Sequence, residues 1–242
     1  MKTTIIIPTY NEAENLPKLI PELLKQPVEN LHLLIVDDLS PDGTGEIAEQ
    51  LAAAHPSQIE VLHRDGPRGL GRAYIHGFEH VLNSAQPPDY IGQMDCDFSH
   101  PPDKLPEFVA KIADCDLVVG SRYIPGGGVD RIWPWWRKRL SRFGNWYART
   151  ILGLPLSDVT GAYRLWRRVL LARIPYQGVV SNGYVFLIEI AHLANKAGAR
   201  FGQVPIYFAD RQWGQSKMNF TVQIEAALRV WQVKWHYRKL RF

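Results

Sequence analysis

Two carboxylates separated by one residue, Asp95 and Asp97, lie in the run Met94-Asp95-Cys96-Asp97-Phe98-Ser99-His100-Pro101, directly after an apolar segment. At a turn such a pair can converge on one ion. Hard carboxylate oxygens with few other protein ligands suit Mg²⁺ or Mn²⁺ carried in with a diphosphate, because these ions keep sites for water and substrate phosphate. An ion there would stabilise the charge on a departing nucleoside diphosphate. Asp-x-Asp is a short motif that solvated turns also contain, so its neighbourhood has to decide.

Two further runs follow apolar segments in the same way: Pro8-Thr9-Tyr10-Asn11-Glu12 and Val36-Asp37-Asp38-Leu39-Ser40-Pro41-Asp42-Gly43-Thr44. Asp38 is suited to accept hydrogen bonds from a base or ribose, and Tyr10 to offer a face and a hydroxyl to a nucleoside. Asp37, Asp38 and Asp42 are also the residue types that close turns and cap helices. The expectation is a structural role for Asp42 or Thr44 and a functional one for Asp38. The stretch 66–71 is glycine-rich but lacks the G-x-G-x-x-G and G-x-x-x-x-G-K-[ST] spacings, which argues against a dehydrogenase or a P-loop enzyme. Arg137 and Ser141 lie four residues apart, one helical turn, where a guanidinium and a hydroxyl can grip one phosphate together.

The elements that must carry these residues are legible in outline. Short β-rich apolar runs at 3–7, 31–36, 59–63, 90–94 and 117–120 alternate with helical patterns at 12–25, 45–55, 71–83 and 103–113, which predicts a doubly wound α/β domain with a mostly parallel sheet. Ligands of such sheets bind beyond the carboxyl ends of the strands, where the three runs lie. After residue 122 the alternation stops. Pro125-Gly126-Gly127-Gly128 reads as a flexible loop, a hinge or lid, followed by a helix over 134–151 with Trp136, Leu140, Phe143, Tyr147 and Ile151 on one stripe. A strand at 162–166, a helix at 184–196, a strand at 202–208 and a terminal helix from about 220 complete the pattern.

The 242 residues suffice for one large domain, or one domain with an appendage. The net charge of +4 hides an asymmetry: residues 1–130 hold nine Lys and Arg against 20 Asp and Glu, and residues 131–242 hold 19 against four. The acidic half can present carboxylates to a metal; the basic half suits phosphates, anionic lipid or nucleic acid. Two cysteines, Cys96 and Cys115, make no disulfide framework or zinc site, which points to a reducing compartment. No window is apolar enough to span a bilayer, and Pro8, Asn11 and Glu12 end the first apolar run too early for a signal peptide. A cytoplasmic location is expected.

Taken together with Gly69-Leu70-Gly71, Gly120-Ser121-Arg122-Tyr123 and Arg211-x-x-Gly214-x-Ser216-Lys217, these runs resemble family 2 glycosyltransferases, and more narrowly the dolichol-phosphate (polyprenol-phosphate) mannose synthases, over nearly the whole chain. The resemblance implies a GT-A fold (a Rossmann-like mixed sheet flanked by helices), a GDP-mannose donor, a divalent metal, a dolichyl or polyprenyl phosphate acceptor, and inversion at the sugar carbon to a β-linked product. It places Pro8, Tyr10, Glu12, Val36 and Asp38 on the nucleoside and Asp95 and Asp97 on the metal and sugar diphosphate. Ser99 stands at a position where some members have a metal-contacting Gln. Arg122, Arg211 and Lys217 match phosphate-contacting positions, which makes Asp97, Arg122 and Arg211 the catalytic candidates. Arg137 and Ser141 match the acceptor phosphate clamp, and the catalytic domain would cover residues 1–218.

A lipid phosphate is already anionic near neutrality, so it calls for alignment and charge neutralisation rather than a base. No dedicated His or Glu base is expected; His100, Glu189 and Asp158 read as structural, the last paired with a nearby arginine. Residues 219–242 form a basic amphipathic helix with Trp231, Trp235 and Tyr237, suited to a membrane surface, though an ordinary packing helix has the same pattern. The expected partners are therefore a nucleotide sugar, a polyprenyl phosphate, the membrane surface and a membrane partner protein, with no nucleic acid. Two other readings compete: a UDP-glucose or other donor on the same fold, and a noncatalytic membrane-binding protein, for which the Asp95/Asp97 pair has no use.

Overall fold

Ile5, Ile6 and Ile7 are all fully buried, the mark of a central strand covered on both faces. The computed structural model describes residues 1–179, 181–209 and 220–242, with side chains in the last stretch described from residue 227. Its elements are β1 (Thr3–Thr9), α1 (Leu16–Leu24), β2 (Leu31–Asp37), α2 (Thr44–Ala54), β3 (Ile59–His63), α3 (Leu70–Leu82), β4 (Tyr90–Gln93), α4 (Leu105–Lys111), β5 (Leu117–Ser121), β6 (Gly128–Val129), α5 (Trp135–Leu152), β7 (Arg164–Arg167), α6 (Arg168–Arg173), α7 (Gly183–Lys196), β8 (Phe201–Pro205), β9 (Tyr207–Phe208) and α8 (Phe220–His236).

Seven strands pair in the order β3-β2-β1-β4-β7-β5-β8. Period-two alternation divides their side chains between two cores. Ile5, Ile7, Leu33, Ile35 and Val118 meet Leu16, Leu19 and Leu23 of α1, Ala48 of α2 and Phe108 of α4. Ile6, Leu34, Val36, Leu117 and Val119 meet Tyr74 and Phe78 of α3 and Phe186 and Ile190 of α7. Gly71 permits the approach of α3 to α7: a Cβ there would stand 2.8 Å from the Phe186 ring.

The sheet is mixed, as the resemblance implies: β7 runs antiparallel between β4 and β5 while the other pairings are parallel. The structure departs from the expected pattern at four places. Residues 12–15, expected as the start of the first helix, form a turn in which the N–H groups of Asn15 and Leu16 donate to Glu12 O at 3.0 and 2.9 Å. The expected strand at 202–208 divides at Ile206, whose N–H donates to Ser121 O at 3.1 Å, so that β9 joins a second sheet with β6. The glycine loop read as a hinge or lid is thereby part of a ribbon, and a Cβ on Gly127 would stand 2.5 Å from Ser121 O.

The fourth departure concerns α5. Its buried face is Asn145, Ala148 and Leu152, whereas Trp136 and Phe143 of the aromatic stripe are more than half exposed. Helix α8 packs on α5 and α7 through Val230, Val233 and Tyr237. Trp231 Nε1 donates to Tyr147 Oη at 2.9 Å, and Tyr237 Oη donates to Glu189 Oε1 at 2.8 Å. Among the described residues no helix is long and apolar enough to cross a membrane.

Candidate active site

The loops that follow β1, β2 and β4 leave the sheet side by side, and each turns through one left-handed residue that is not glycine: Asn11, Leu39 and Phe98, with φ of 60°, 52° and 60°. Each such conformation costs roughly 1–2 kcal/mol, so the surrounding bonds must over-determine the loops. They do. Asn11 N–H donates to Ser40 Oγ at 3.1 Å, Glu12 N–H to Thr44 Oγ1 at 2.9 Å, and Ala13 N–H to Asp42 Oδ2 at 3.1 Å. Thr44 Oγ1 in turn donates to Asp42 Oδ1 at 2.6 Å, and Ser40 Oγ to Asp37 Oδ1 at 2.6 Å. Asp37, Asp42 and Thr44 thus lace the first two loops together. Pro8 lies within β1, and Val36 turns its side chain into the core, which leaves its main chain as the part able to face a ligand.

Asp38 is nearly buried, forms an ion pair with Arg64 and accepts the Gly69 N–H at 3.1 Å. Arg68 lies across Tyr10: its Cζ is 4.3 Å from the ring centroid and its Nη1 donates to Tyr10 Oη at 2.6 Å. Arg64 and Arg68 were not singled out from the sequence. Their signal was present in Arg64-Asp65-Gly66-Pro67-Arg68-Gly69, a turn carrying two cations just before α3. Glu12 accepts from Asn15 Nδ2 at 2.6 Å and so braces the turn beside Tyr10.

After β4, Phe98 bends the chain so that Ser99 N–H and Oγ both reach Asp97 Oδ1, at 3.1 and 2.5 Å. Ser99 is fully buried and its hydroxyl supports Asp97. The Asp95 N–H donates to His100 Nδ1 at 2.9 Å, and Tyr74 Oη donates to Asp95 Oδ1 at 3.3 Å. Burial lowers the pKa of His100, which favours a neutral imidazole whose acceptor nitrogen holds the main chain. Two carboxylates on a braced turn fit a Mg²⁺ or Mn²⁺ ion. Among the described residues no cluster of three His, Cys, Asp or Glu would enclose it, so a substrate diphosphate and water would complete the shell.

One strand beyond β7 in the sheet, Arg122, the residue after β5, is buried against Asp158: Nε and Nη2 donate to the two carboxylate oxygens at 2.6 and 2.7 Å, and Nη2 also to Thr160 at 2.7 Å. Burial alone would raise the Asp158 pKa, and the Arg122 guanidinium reverses this, holding the carboxyl below its ordinary value. Arg164, fully buried in β7, fixes the same loop by donating to the carbonyls of Gly161, Leu187 and Val159 at 2.8, 2.8 and 2.9 Å. Burial pushes its pKa down to about 10.

Ser141 shares a 2.6 Å hydrogen bond with Tyr123 Oη, and Arg137 stacks with its Cζ 3.8 Å from the centre of Trp133. Phe208 joins the regions: its ring lies 6.1 Å from His100 and 5.9 Å from Trp133, and the Arg122 Cζ sits 5.2 Å from its centroid. In the sequence Phe208 is one more apolar residue of a strand, and no spacing marks the aromatic link it makes. Arg211 and Lys217 lie outside the described residues.

The family model described as glycosyl transferase family 2 matches residues 4–174. The chain is 43% identical over 230 residues to polyprenol monophosphomannose synthase of Mycolicibacterium smegmatis, covering 95% of this chain and 85% of that protein. It is 42% identical over 230 residues to undecaprenyl-phosphate mannosyltransferase of Micrococcus luteus, covering 95% and 93%. Among solved structures, mannosyl-3-phosphoglycerate synthase from Rubrobacter xylanophilus superposes with a TM-score of 0.68 at 18% identity, over 99% of this chain and 75% of that one. Glucosyl-3-phosphoglycerate synthase from Mycobacterium tuberculosis, in complex with Mn²⁺, UDP-glucose and phosphoglyceric acid, gives 0.62 at 18% identity, over 96% and 78%.

Proposed function

The chain belongs to glycosyltransferase family 2 and is a sugar-transferring enzyme, and from that premise we propose that it moves mannose from GDP-mannose to a polyprenyl or dolichyl phosphate, with inversion. The observation that carries this reading is the layout of charge around Phe208. The carboxylates of Asp95 and Asp97 lie on the His100 side of that ring, and a helix whose arginines have no acid in 131–157 lies on the Trp133 side. Relatives at 43% and 42% identity, both named for mannosyl transfer to polyprenyl lipids, support the acceptor class and the sugar.

In this reading Asp95 and Asp97 hold Mg²⁺ or Mn²⁺, which when bound neutralises charge on the leaving diphosphate. Tyr10, Glu12, Asp38 and the main chain at Pro8 and Val36 hold the nucleoside. Arg137 and Ser141 align the acceptor phosphate, with Arg211 and Lys217 as further phosphate contacts. A phosphate oxygen forms the new bond to the sugar carbon as the bond to the diphosphate breaks, and the electron pair leaves with GDP. One displacement inverts the carbon, and an anionic nucleophile has no proton for a base to remove. Arg122, oriented by Asp158, is a further candidate for a phosphate contact, through its guanidinium N–H groups rather than through a free net charge.

The exposed tryptophans of α5 and α8, with the lysines and arginines between them, support a peripheral seat on the membrane where the acceptor lipid resides. The test is incubation with GDP-mannose or UDP-glucose, Mg²⁺ or Mn²⁺ and a short polyprenyl phosphate, followed by mass spectrometry. A mannosyl lipid formed from GDP-mannose is expected; a glucosyl lipid from UDP-glucose, or no sugar lipid from either donor, overturns the assignment.

A further inference from the structure

Trp133 is the buried tryptophan at the entrance of α5, with its ring edge-to-face on Phe208 and its main-chain N–H donating to Asp130 O at 3.3 Å. The Arg137 guanidinium lies on its face at 3.8 Å, the shortest of the cation–ring contacts described. Other arginines around the site are oriented by oxygen: Arg64 by Asp38, Arg122 by Asp158, Arg164 by three carbonyls. Arg137 takes part in none of the ion pairs or hydrogen bonds described, so the ring is what orients it. An aromatic face suits this task, because it fixes the plane of a guanidinium without occupying its N–H donors, all five of which stay available to a phosphate.

We propose that Trp133 is a positioning residue of the acceptor site, a platform that presents the Arg137 guanidinium flat and unneutralised to a lipid phosphate. The inference rests on the assignment of Arg137 to the acceptor. A carboxylate in the place of Trp133 would orient the arginine equally well but cancel its charge; the indole does the first without the second. The rigidity of the platform comes from Phe208, so the orientation of Arg137 is tied to the ribbon of β6 and β9.

The indole makes the test a clean one. Trp133 Nε1 is buried without a hydrogen-bond partner, so Trp133→Phe deletes no bond while keeping an aromatic face, whereas Trp133→Leu removes the face. Calorimetric titration with a short polyprenyl phosphate in mild detergent reads the acceptor site directly, without turnover. Trp133→Leu is expected to weaken binding about five- to tenfold, Trp133→Phe to recover most of that loss, and Trp133→Leu to add nothing further in an Arg137→Ala background. GDP-mannose affinity should be the same in wild type and both Trp133 variants. Additive losses with Arg137→Ala, or equal damage to donor binding, would overturn the platform. Mannosyl transfer is assayed separately: a chain that binds polyprenyl phosphate as described yet transfers no mannose keeps the inference and loses the proposed reaction.

Discussion

The carboxylate loops of the first half and the arginine helix of the second hold opposite charge in different ways. In the loops the carboxylates are held by donors inside the fold: Asp38 by the Arg64 cation and the Gly69 N–H, Asp97 by Ser99, Asp42 by Thr44 and Ala13. On α5, Arg137, Arg139 and Arg142 lie over aromatic rings at 3.8, 5.1 and 5.9 Å, and none appears in a described ion pair with a carboxylate. Neutral donors and ring stacking both fix position and leave the charge available, negative on Asp97 and positive on Arg137, whereas the Arg64 ion pair cancels that of Asp38. The first region is thus set up for a ligand that brings its own counter-charge as a metal diphosphate; the second is set up for a bare anion.

Breaking the first region should have the largest effect. Asp97→Ala is expected to reduce mannosyl transfer by roughly three orders of magnitude, since a metal supplies several kcal/mol of charge stabilisation and each 1.36 kcal/mol is tenfold. Circular dichroism should stay native, and transfer within tenfold of wild type would remove Asp97 from the metal site. Asp158→Asn leaves Arg122 buried without its counter-charge and should lower unfolding free energy by about 3–5 kcal/mol, read by urea denaturation. Because the Asp158 pKa is depressed in the folded state, the pair's contribution is complete above the ordinary carboxylate value of about 3.9 and is lost as pH falls through the folded value. Wild type should therefore lose more stability than the variant on acidification, and parallel curves would contradict the sign.

The second region should yield smaller, more selective losses. Arg137→Ala is expected to raise the KM for polyprenyl phosphate about tenfold with the KM for GDP-mannose unchanged, as for the loss of one charge-assisted phosphate contact; equal rises in both would merge the two regions into one site. Smallest of all, Trp231→Ser with Trp235→Ser should cut flotation with anionic liposomes by about threefold, and undiminished flotation would take α8 off the membrane. Substitution is preferable to truncation here, because cutting the chain before α8 would take away Val230, Val233 and Tyr237 and uncover the core faces of α5 and α7 on which they pack.

Both regions were partly legible in the sequence, for different reasons. The strands of the first half announced themselves because a strand covered on both faces must be apolar throughout, and the loops after them because Asp, Asn, Ser and Gly close turns. Arg64 and Arg68 escaped notice since a side chain that reaches across to another loop leaves no periodic trace. In the second half the direction of β7 was hidden: hydrophobic pattern records which face is buried, not which neighbour a strand pairs with. The stripe on α5 was read correctly as aromatic and helical, but Trp136 and Phe143 face outward, because amphipathic pattern alone does not say which apolar stripe the rest of the chain covers.

The placement of β7 also orders the assembly of the molecule. β4 and β5 are joined in the sheet through it, and it is synthesised after α5, so a nascent chain that ends at β5 leaves β4 unpaired on one edge and β5 on both, since β8 comes later still. Filling the place between them is a long-range event, of the kind that slows folding. The carboxyl turn after β4 therefore gains a finished neighbour late, when the arginine helix has already been made.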